Sequence, residues 1–321
     1  MKLRKLALGL AAALTFTSLA ACTETDQKLP FSDYWEQNAL IAGSSINETL
    51  EYTVTHEKGA GLDGLGYTLT YGEGTYVTTL KTHTQGYIYT TSLTMPVTFQ
   101  YGTDEADSLT DSVKTEVLFL RSKDGLRPIS STKTVVSHTP RSSGAGSTES
   151  CYDTWEFNVV TSYPTEGQAT SIITHTNKLD KENNPITITS SFDANDKKFS
   201  YLDNEQLLLS LRALSPSVTS GTVQIYNPFI ENKQNVKLAF AGETGKEFSL
   251  NWNGEAVKKT ISYRSVSLTL DDKNPGGTQT ALIAQRTSAE NNTYGNVMLQ
   301  LTVPLSYSMG NLVYNLVSVT R

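Results

Sequence analysis

The residues from Ser130 to Lys133 have the S-x-x-K spacing of enzymes in which a lysine takes the proton of a nucleophilic serine. That chemistry needs a helix, because the lysine must lie one turn away from the serine. The flanking pairs Pro128-Ile129 and Val135-Val136 predict a strand instead, and a strand places Ser130 and Lys133 on opposite faces. The companion sequences S-D-N and K-T-G are absent. We interpret the match as coincidental.

No pattern of metal-ligating residues stands out. The four histidines lie singly in predicted strands, without a nearby cysteine or second histidine; they are His56, His83, His138 and His175. The segment from Asp193 to Asn204 has the length of a calcium loop but carries Lys198 where the tight turn needs glycine. We interpret it, together with the acidic residues 104–111, as solvated turns. The sequence therefore predicts no metal, no cofactor and no catalytic residue.

The first 22 residues have the layout of an export signal. Lys2, Arg4 and Lys5 precede an uncharged stretch, rich in Leu and Ala, that runs to Ala21. This stretch is shorter than the roughly 20 apolar residues of a membrane-spanning helix. We therefore predict a secretory signal peptide over residues 1–21, which takes no part in the fold.

The end of this segment resembles the lipobox of bacterial lipoproteins. Leu19, Ala20 and Ala21 precede Cys22, and in that family small residues allow cleavage just before a cysteine whose thiol carries diacylglycerol. The resemblance implies lipidation at Cys22, a tether over residues 22–30, and a body held outside the cytoplasm at the cell membrane, or at the outer membrane of a host that has one. Two acyl chains suffice for stable anchoring. An ordinary secretory signal with a chance cysteine, or a signal anchor, remains the alternative.

The charge balance argues against nucleic acid as a partner. The chain has 26 Lys and Arg against 32 Asp and Glu, and loss of the signal peptide removes three basic residues and no acidic one. An acidic protein repels phosphate backbones. Lipidation of Cys22 also leaves Cys151 without a partner in the chain, so we expect no internal disulfide and interpret Cys151 as a small buried apolar residue.

Alternation of apolar and polar residues dominates the chain after Glu48. Sets that share a face include Tyr67, Leu69 and Tyr71; Tyr87, Tyr89, Leu93 and Met95; and Val297, Leu299, Leu301, Val303 and Leu305. A period of two with one polar face is typical of antiparallel sheets, and Asn253-Gly254 predicts a two-residue hairpin. The predicted fold is mainly β, a large curved antiparallel sheet or half-barrel formed by residues 31–321 as a single domain.

One segment breaks this pattern and predicts an amphipathic helix near residues 202–214, packed on the sheet. Asp203 and Gln206 have the spacing of a capping pair at its start, and Pro216 follows its end. The apolar residues with helical spacing are Leu207, Leu208, Leu211 and Leu214.

The order of these elements is similar to that of the LolA/LolB half-barrels: long antiparallel strands, a central helix, further strands, and a closing pair (Val297 to Leu305 and Leu312 to Val319). In that family a curved sheet is partly covered by helix, and the space between them holds acyl chains. The resemblance covers most of the mature chain and implies a groove lined by the four leucines. It carries no motif from which functional residues could be transferred.

These observations predict a non-enzymatic, membrane-anchored envelope lipoprotein that binds an apolar, lipid-like ligand or a protein partner. The alternative is a cell-surface glycan-binding or adhesion protein, because 16 Tyr and three Trp could line a sugar-binding face. The first hypothesis requires a cavity beneath the helix, whereas the second requires exposed aromatic side chains.

Overall fold

The computed structural model describes residues 29–31, 45–59, 67–102, 105–122, 125–140, 152–165, 167–177, 185–195, 198–270, 277–285, 294, 296–305 and 309–321. The expected signal peptide, the lipobox with Cys22, and Cys151 lie outside these residues. Within the described ranges, no helix has the length and apolar character needed to cross a bilayer.

Sixteen strands and one short helical segment make up the described part of the chain. The strands are β1 (Asn47–Lys58), β2 (Tyr67–Tyr71), β3 (Gly74–His83), β4 (Gly86–Tyr101), β5 (Asp107–Ser122), β6 (Gly125–Pro140), β7 (Tyr152–Thr165), β8 (Gln168–Asn177), β9 (Ile186–Asp193), β10 (Ser200–Tyr201), β11 (Ser220–Asn227), β12 (Asn232–Trp252), β13 (Glu255–Leu270), β14 (Gln279–Ala284), β15 (Met298–Pro304) and β16 (Gly310–Thr320). The helical segment, residues 204–213, joins a 3-10 turn (Asn204–Gln206), one α-helical turn (Leu207–Ser210) and a second 3-10 turn (Leu211–Ala213).

All these strands belong to one sheet, in the order β10-β11-β12-β13-β14-β15-β16-β1-β3-β4-β5-β6-β7-β8-β9, with β2 beside β4. Most neighbours are antiparallel, and the parallel pairs are β10 with β11 and β12 with β16. The prediction of a mainly β fold with a large antiparallel sheet is confirmed. Since β12 bonds β13 along its length and meets the end of β16 at Trp252, β12 to β16 form a closed ring within the sheet.

Alternation along the strands sorts side chains between the core and the solvent. On β4, for example, Leu93, Met95 and Val97 are buried, whereas Thr94 and Pro96 are exposed. The buried faces and the helical segment together form the main hydrophobic core. A smaller cluster continues it along β6 to β8 and consists of Val135, Phe157, Val159 and Ile173.

The hairpin predicted at Asn253-Gly254 is confirmed. These residues join β12 to β13 and have φ angles of 52° and 90°. Both central residues of this turn type need positive φ, which glycine adopts without a steric cost and asparagine tolerates.

The helical segment is shorter and more deeply buried than the predicted amphipathic helix. Its capping box is present, because the Asp203 carboxylate accepts the backbone N–H of Glu205 and the Gln206 side chain accepts that of Asp203. Only Leu207–Ser210 is α-helical, and buried side chains occur on every side of the segment. Strands from distant parts of the chain contact it from several directions, so it has little need of a polar stripe.

The two ends of the sheet, β9 and β10, are not joined by main-chain pairing among the described strands. Side chains bridge them instead. The rings of Phe192 on β9 and Tyr226 on β11 stack with their centroids 3.8 Å apart, and Phe192 and Tyr163 both contact Tyr201 on β10. We call these four residues the aromatic seam. The seam gives the sheet a barrel-like shape.

Candidate functional site

A cavity of about 100 Å³ lies between the helical segment and the sheet. Its lining residues are Tyr76, Thr91, Leu93, Val113, Thr115, Lys133, Asn204, Glu205, Leu207, Leu208, Gln279, Leu301, Val303 and Tyr314. This volume corresponds to about three water molecules. It is well below the roughly 300 Å³ at which sites for drug-sized ligands begin.

Much of the cavity wall is apolar or carries neutral hydroxyl groups. Tyr76 and Tyr314 pack edge to face, with ring centroids 5.2 Å apart. Burial raises the pKa of both phenols, so they stay neutral at physiological pH. The hydroxyls of Thr91 and Thr115 lie 2.8 Å apart and bond to each other. The wall therefore favours a ligand with a large apolar fraction.

Lys133 and Glu205 form the charged edge of the cavity. The Nζ of Lys133, on β6, donates to Oε1 of Glu205 at 3.0 Å, and the side-chain amide of Asn204 donates to the same oxygen at 2.8 Å. The two charged side chains are only 7% and 13% exposed. At this degree of burial each charge requires the other as its compensation.

Asp203 fixes the start of the helical segment to β6 and β7. Its Oδ2 accepts hydrogen bonds from the hydroxyls of Ser131 and Tyr163, both at 2.6 Å. Burial raises the pKa of Asp203, and the charge of Glu205 raises it further, while the two hydroxyl donors oppose the shift. This network holds the first turn against the sheet and so sets the position of the cavity edge.

Arg212 fixes the other end of the segment to β1. Its guanidinium donates to both carboxylate oxygens of Glu48, at 2.6 and 3.1 Å, and to the carbonyl of Asn296 at 2.7 Å. The Nε of Arg321 donates to Oε2 of Glu48 at 2.7 Å. Burial alone would raise the pKa of Glu48, but the two guanidinium groups outweigh it and lower the pKa. Glu48 is therefore a buried, ionised anchor.

Arg264, on β13, holds in place the stretch of chain that follows the helical segment. It donates to the carbonyls of Val218 at 3.0 Å, Pro216 at 3.2 Å and Leu214 at 3.3 Å. Its guanidinium lies 4.0 Å from the centroid of the Phe240 ring. Burial lowers the pKa of Arg264 to about 10, which keeps it charged at neutral pH.

A third buried pair, Asp111 with His138, lies where the β5–β6 ladder ends, next to Ser112 opposite Val136. Just beyond, Oδ1 of Asp111 accepts the backbone N–H of His138 at 3.0 Å and lies 2.6 Å from its Nδ1. Burial raises the pKa of Asp111, and the contacts with His138 oppose that shift. The Asp111 carboxylate thus replaces a main-chain acceptor just beyond the last pair of the ladder. We therefore assign Asp111 a structural role.

The four leucines predicted to line a groove occupy two different environments. Leu207 and Leu208 line the cavity, whereas Leu211 and Leu214 are packed in the main core, each 1% exposed. The predicted lipidation and cleavage residues, Leu19, Ala20, Ala21 and Cys22, lie outside the described residues. The S-x-x-K residues are in strand β6, the conformation that the flanking sequence predicts.

Sequence reasoning missed the polar residues that position the helical segment. Ser131 and Lys133 alternate with exposed residues on β6 and share the buried face of Val135, so a charged residue at a core-facing position was the available signal. No local signal joins Glu48 to Arg212, because 164 positions separate them.

Other kinds of site find little support in the described residues. They contain no group of three or more His, Cys, Asp or Glu side chains arranged to hold a metal ion. Every Tyr and Trp whose side chain is described is buried or half-buried. The surface aromatics that the glycan-binding alternative requires are therefore not found in this part of the chain.

Comparisons with known proteins add one similarity of fold. No protein family and no curated protein matches the chain. A solved structure of a β-barrel-like protein, a domain of unknown function from Brucella abortus, is 9% identical with a TM-score of 0.48, over 85% of this chain and 97% of that one. Neither function nor residue roles follow from so distant a likeness, and the resemblance to LolA/LolB half-barrels stays a prediction. By its own strands, the chain forms a β-barrel-like domain.

Proposed function

We propose that this chain is a membrane-anchored envelope lipoprotein that binds a small apolar or amphipathic ligand between its helical segment and its sheet, without catalysing a reaction. The observation that carries the proposal is the cavity lined by Leu207, Leu208 and the apolar residues of the facing strands. The charged groups beside it are bonded to their neighbours, Lys133 to Glu205 and Asp203 to two hydroxyls. That pairing favours binding over catalysis.

The volume of the cavity restricts the ligand. An apolar cavity of about 150 Å³ is known to bind benzene. A cavity of about 100 Å³ suits a molecule of about four or five non-hydrogen atoms, or the end of a longer acyl chain whose remainder lies outside. A whole phospholipid would require the helical segment to move.

Filling the cavity tests the binding proposal. The Leu208→Trp variant places a larger side chain at the lining, and Leu120→Trp is its matched control on the exposed face of β5. Each protein is extracted in mild detergent, and small molecules released on denaturation are measured by mass spectrometry. We expect Leu208→Trp to retain at least about fivefold less ligand than the wild type and Leu120→Trp. Equal recovery from all three, or recovery of a bound protein and no small molecule, would contradict the proposal.

Replacing the lipobox cysteine tests the anchor. The proposal rests on the sequence Leu19-Ala20-Ala21-Cys22 and on the acyl chains that such a cysteine carries. We expect Cys22→Ser to remain uncleaved by the lipoprotein peptidase and to incorporate no labelled palmitate. An alanine or serine variant at Cys151 is the control and should remain labelled. A Cys22→Ser protein that has the mass and membrane fractionation of the wild type would refute the anchor.

A further inference from the structure

We propose that the cavity selects uncharged amphiphiles, ligands whose hydroxyl or amide head lies against the Lys133–Glu205 pair and whose apolar part lies against Leu208 and Val303. This inference rests on the proposed function and adds the chemical class of the ligand. Lys133 and Glu205 are the charged residues among those that line the cavity in the described part of the chain.

The balance of charge at this edge disfavours an ionised head group. Lys133 and Glu205 compensate each other at 3.0 Å, and both are mostly removed from water. A ligand carboxylate would place a second negative charge beside Lys133, which Glu205 already balances. A ligand ammonium would compete with Lys133 for the carboxylate of Glu205, which balances it. Either ion would enter the site without a counter-charge, and burying an unpaired charge is strongly unfavourable.

The same edge retains hydrogen-bonding capacity for a neutral group. A lysine ammonium has three hydrogens and a carboxylate has several acceptor positions, more than the bonds from Lys133 and Asn204 to Oε1 use. A hydroxyl or a primary amide both donates and accepts, so it can bond to Lys133 and Glu205 at once. Thr91 and Thr115, on β4 and β5, add neutral hydroxyl groups beside this charged edge.

The apolar wall accounts for the rest of the ligand. Leu207 and Leu208 from the helical segment line the cavity together with Leu301 and Val303 of β15. Each methylene group of a ligand that is buried here contributes favourably to binding, because apolar surface is removed from water. A polar molecule without an apolar part would lack this contribution. We therefore expect an amphiphile to bind better than a purely polar molecule.

Three four-carbon probes separate the ligand classes at pH 7: 1-butanol is neutral, butanoate is an anion and butylammonium is a cation. Ligand-observed NMR titration of the full chain gives their dissociation constants. We expect 1-butanol to bind at least about tenfold more tightly than either ion. Tight binding of butanoate or butylammonium to the wild type would overturn this inference and leave the proposed function standing. Absence of saturable binding of all three, or equal 1-butanol binding by Leu208→Trp, would overturn both.

Two variants test whether the Lys133–Glu205 pair sets this preference. Glu205→Gln leaves Lys133 uncompensated, so butanoate binding should improve at least about fivefold relative to 1-butanol. Lys133→Met leaves Glu205 uncompensated, so butylammonium binding should improve relative to 1-butanol. Glu247→Gln breaks an exposed pair with Lys258 and should change none of the ratios. Unchanged ratios in both cavity variants, with native near-ultraviolet circular dichroism, would refute the role of the pair.

Discussion

At the scale of single residues, Glu48 has the most demanding environment in the described part of the chain. Its carboxylate accepts hydrogen bonds from Arg212 and Arg321, and its side chain is 1% exposed. A buried ion pair is not a strong source of net stability, because desolvation cancels much of the attraction between the charges. Removing one partner is a different matter, since the remaining buried guanidinium groups would lose the carboxylate that balances their charge.

We expect Glu48→Gln to lower the free energy of unfolding by about 3–5 kcal/mol, the range observed when one partner of a buried pair is removed. Glu247→Gln is the matched control, because its pair with Lys258 is 59% and 67% exposed. An exposed pair of this kind contributes less than about 1 kcal/mol. Denaturant unfolding measures both. Similar losses of unfolding free energy in the two variants would contradict the expectation that breaking the buried pair is more destabilising than breaking the exposed one.

The same variant has a predicted pH dependence. The pKa of Glu48 is lower in the folded protein than its ordinary value of 4.5. A lowered pKa contributes stability that is fully present above the unfolded-state value and disappears as the pH falls through the folded-state value. The stability difference between wild type and Glu48→Gln should therefore be largest near neutral pH and shrink below pH 4.5. A difference that stays constant down to pH 3 would contradict the lowered pKa.

At the scale of elements, the sequence predicted the features that depend on residues close together in the chain. The alternation around Leu93 and Met95 identified the buried face of β4, and Asp203 with Gln206 identified the start of the helical segment. The helix predicted near residues 202–214 is a helical segment over residues 204–213, in which regular α-helix is limited to Leu207–Ser210. The cavity edge could not be predicted, since Lys133 and Glu205 are 72 positions apart in the sequence.

The β12–β13 hairpin allows a clean test of turn conformation. Gly254 has φ near +90°, and a β-carbon there would meet no atom within 4 Å. We expect Gly254→Ala to destabilise the protein by about 1–2 kcal/mol through backbone conformation alone. Gly242→Ala is the control, because that site is equally open but lacks a positive φ, and it should be neutral or slightly stabilising. Thermal unfolding compares them, and equal melting temperatures would contradict the assigned turn.

At the scale of the whole molecule, the contacts that hold the sheet together differ between its middle and its ends. In the middle, β4 and β5 pair continuously from Tyr87 with Phe119 to Phe99 with Asp107. At the aromatic seam, the described contacts are between side chains, chiefly the stacked rings of Phe192 and Tyr226. Main-chain ladders resist local opening better than isolated side-chain contacts with exposed backbone beside them.

We therefore expect amide hydrogen exchange to be fastest in β9 and slowest in β4 and β5. The Tyr226→Ala variant removes the stacked partner of Phe192 and should accelerate exchange in β9 more than in β5. Mass spectrometry of peptides from exchanged protein resolves the strands. Uniform protection across the sheet, or equal acceleration of β9 and β5 in the variant, would contradict an uneven closure.

The pairing of β1 with β16 has a consequence for how the protein reaches its folded state. Thr55 bonds to the carbonyl of Val313, 258 positions later, and β16 also completes the ring with β12. A polypeptide that emerges from a membrane channel with its N-terminus first exposes β1 long before the strand that covers it. Unpaired strand edges invite pairing with other chains, and contacts so distant in sequence form slowly. On the proposed export route, the open edge of β1 would therefore need protection from aggregation until β16 has emerged.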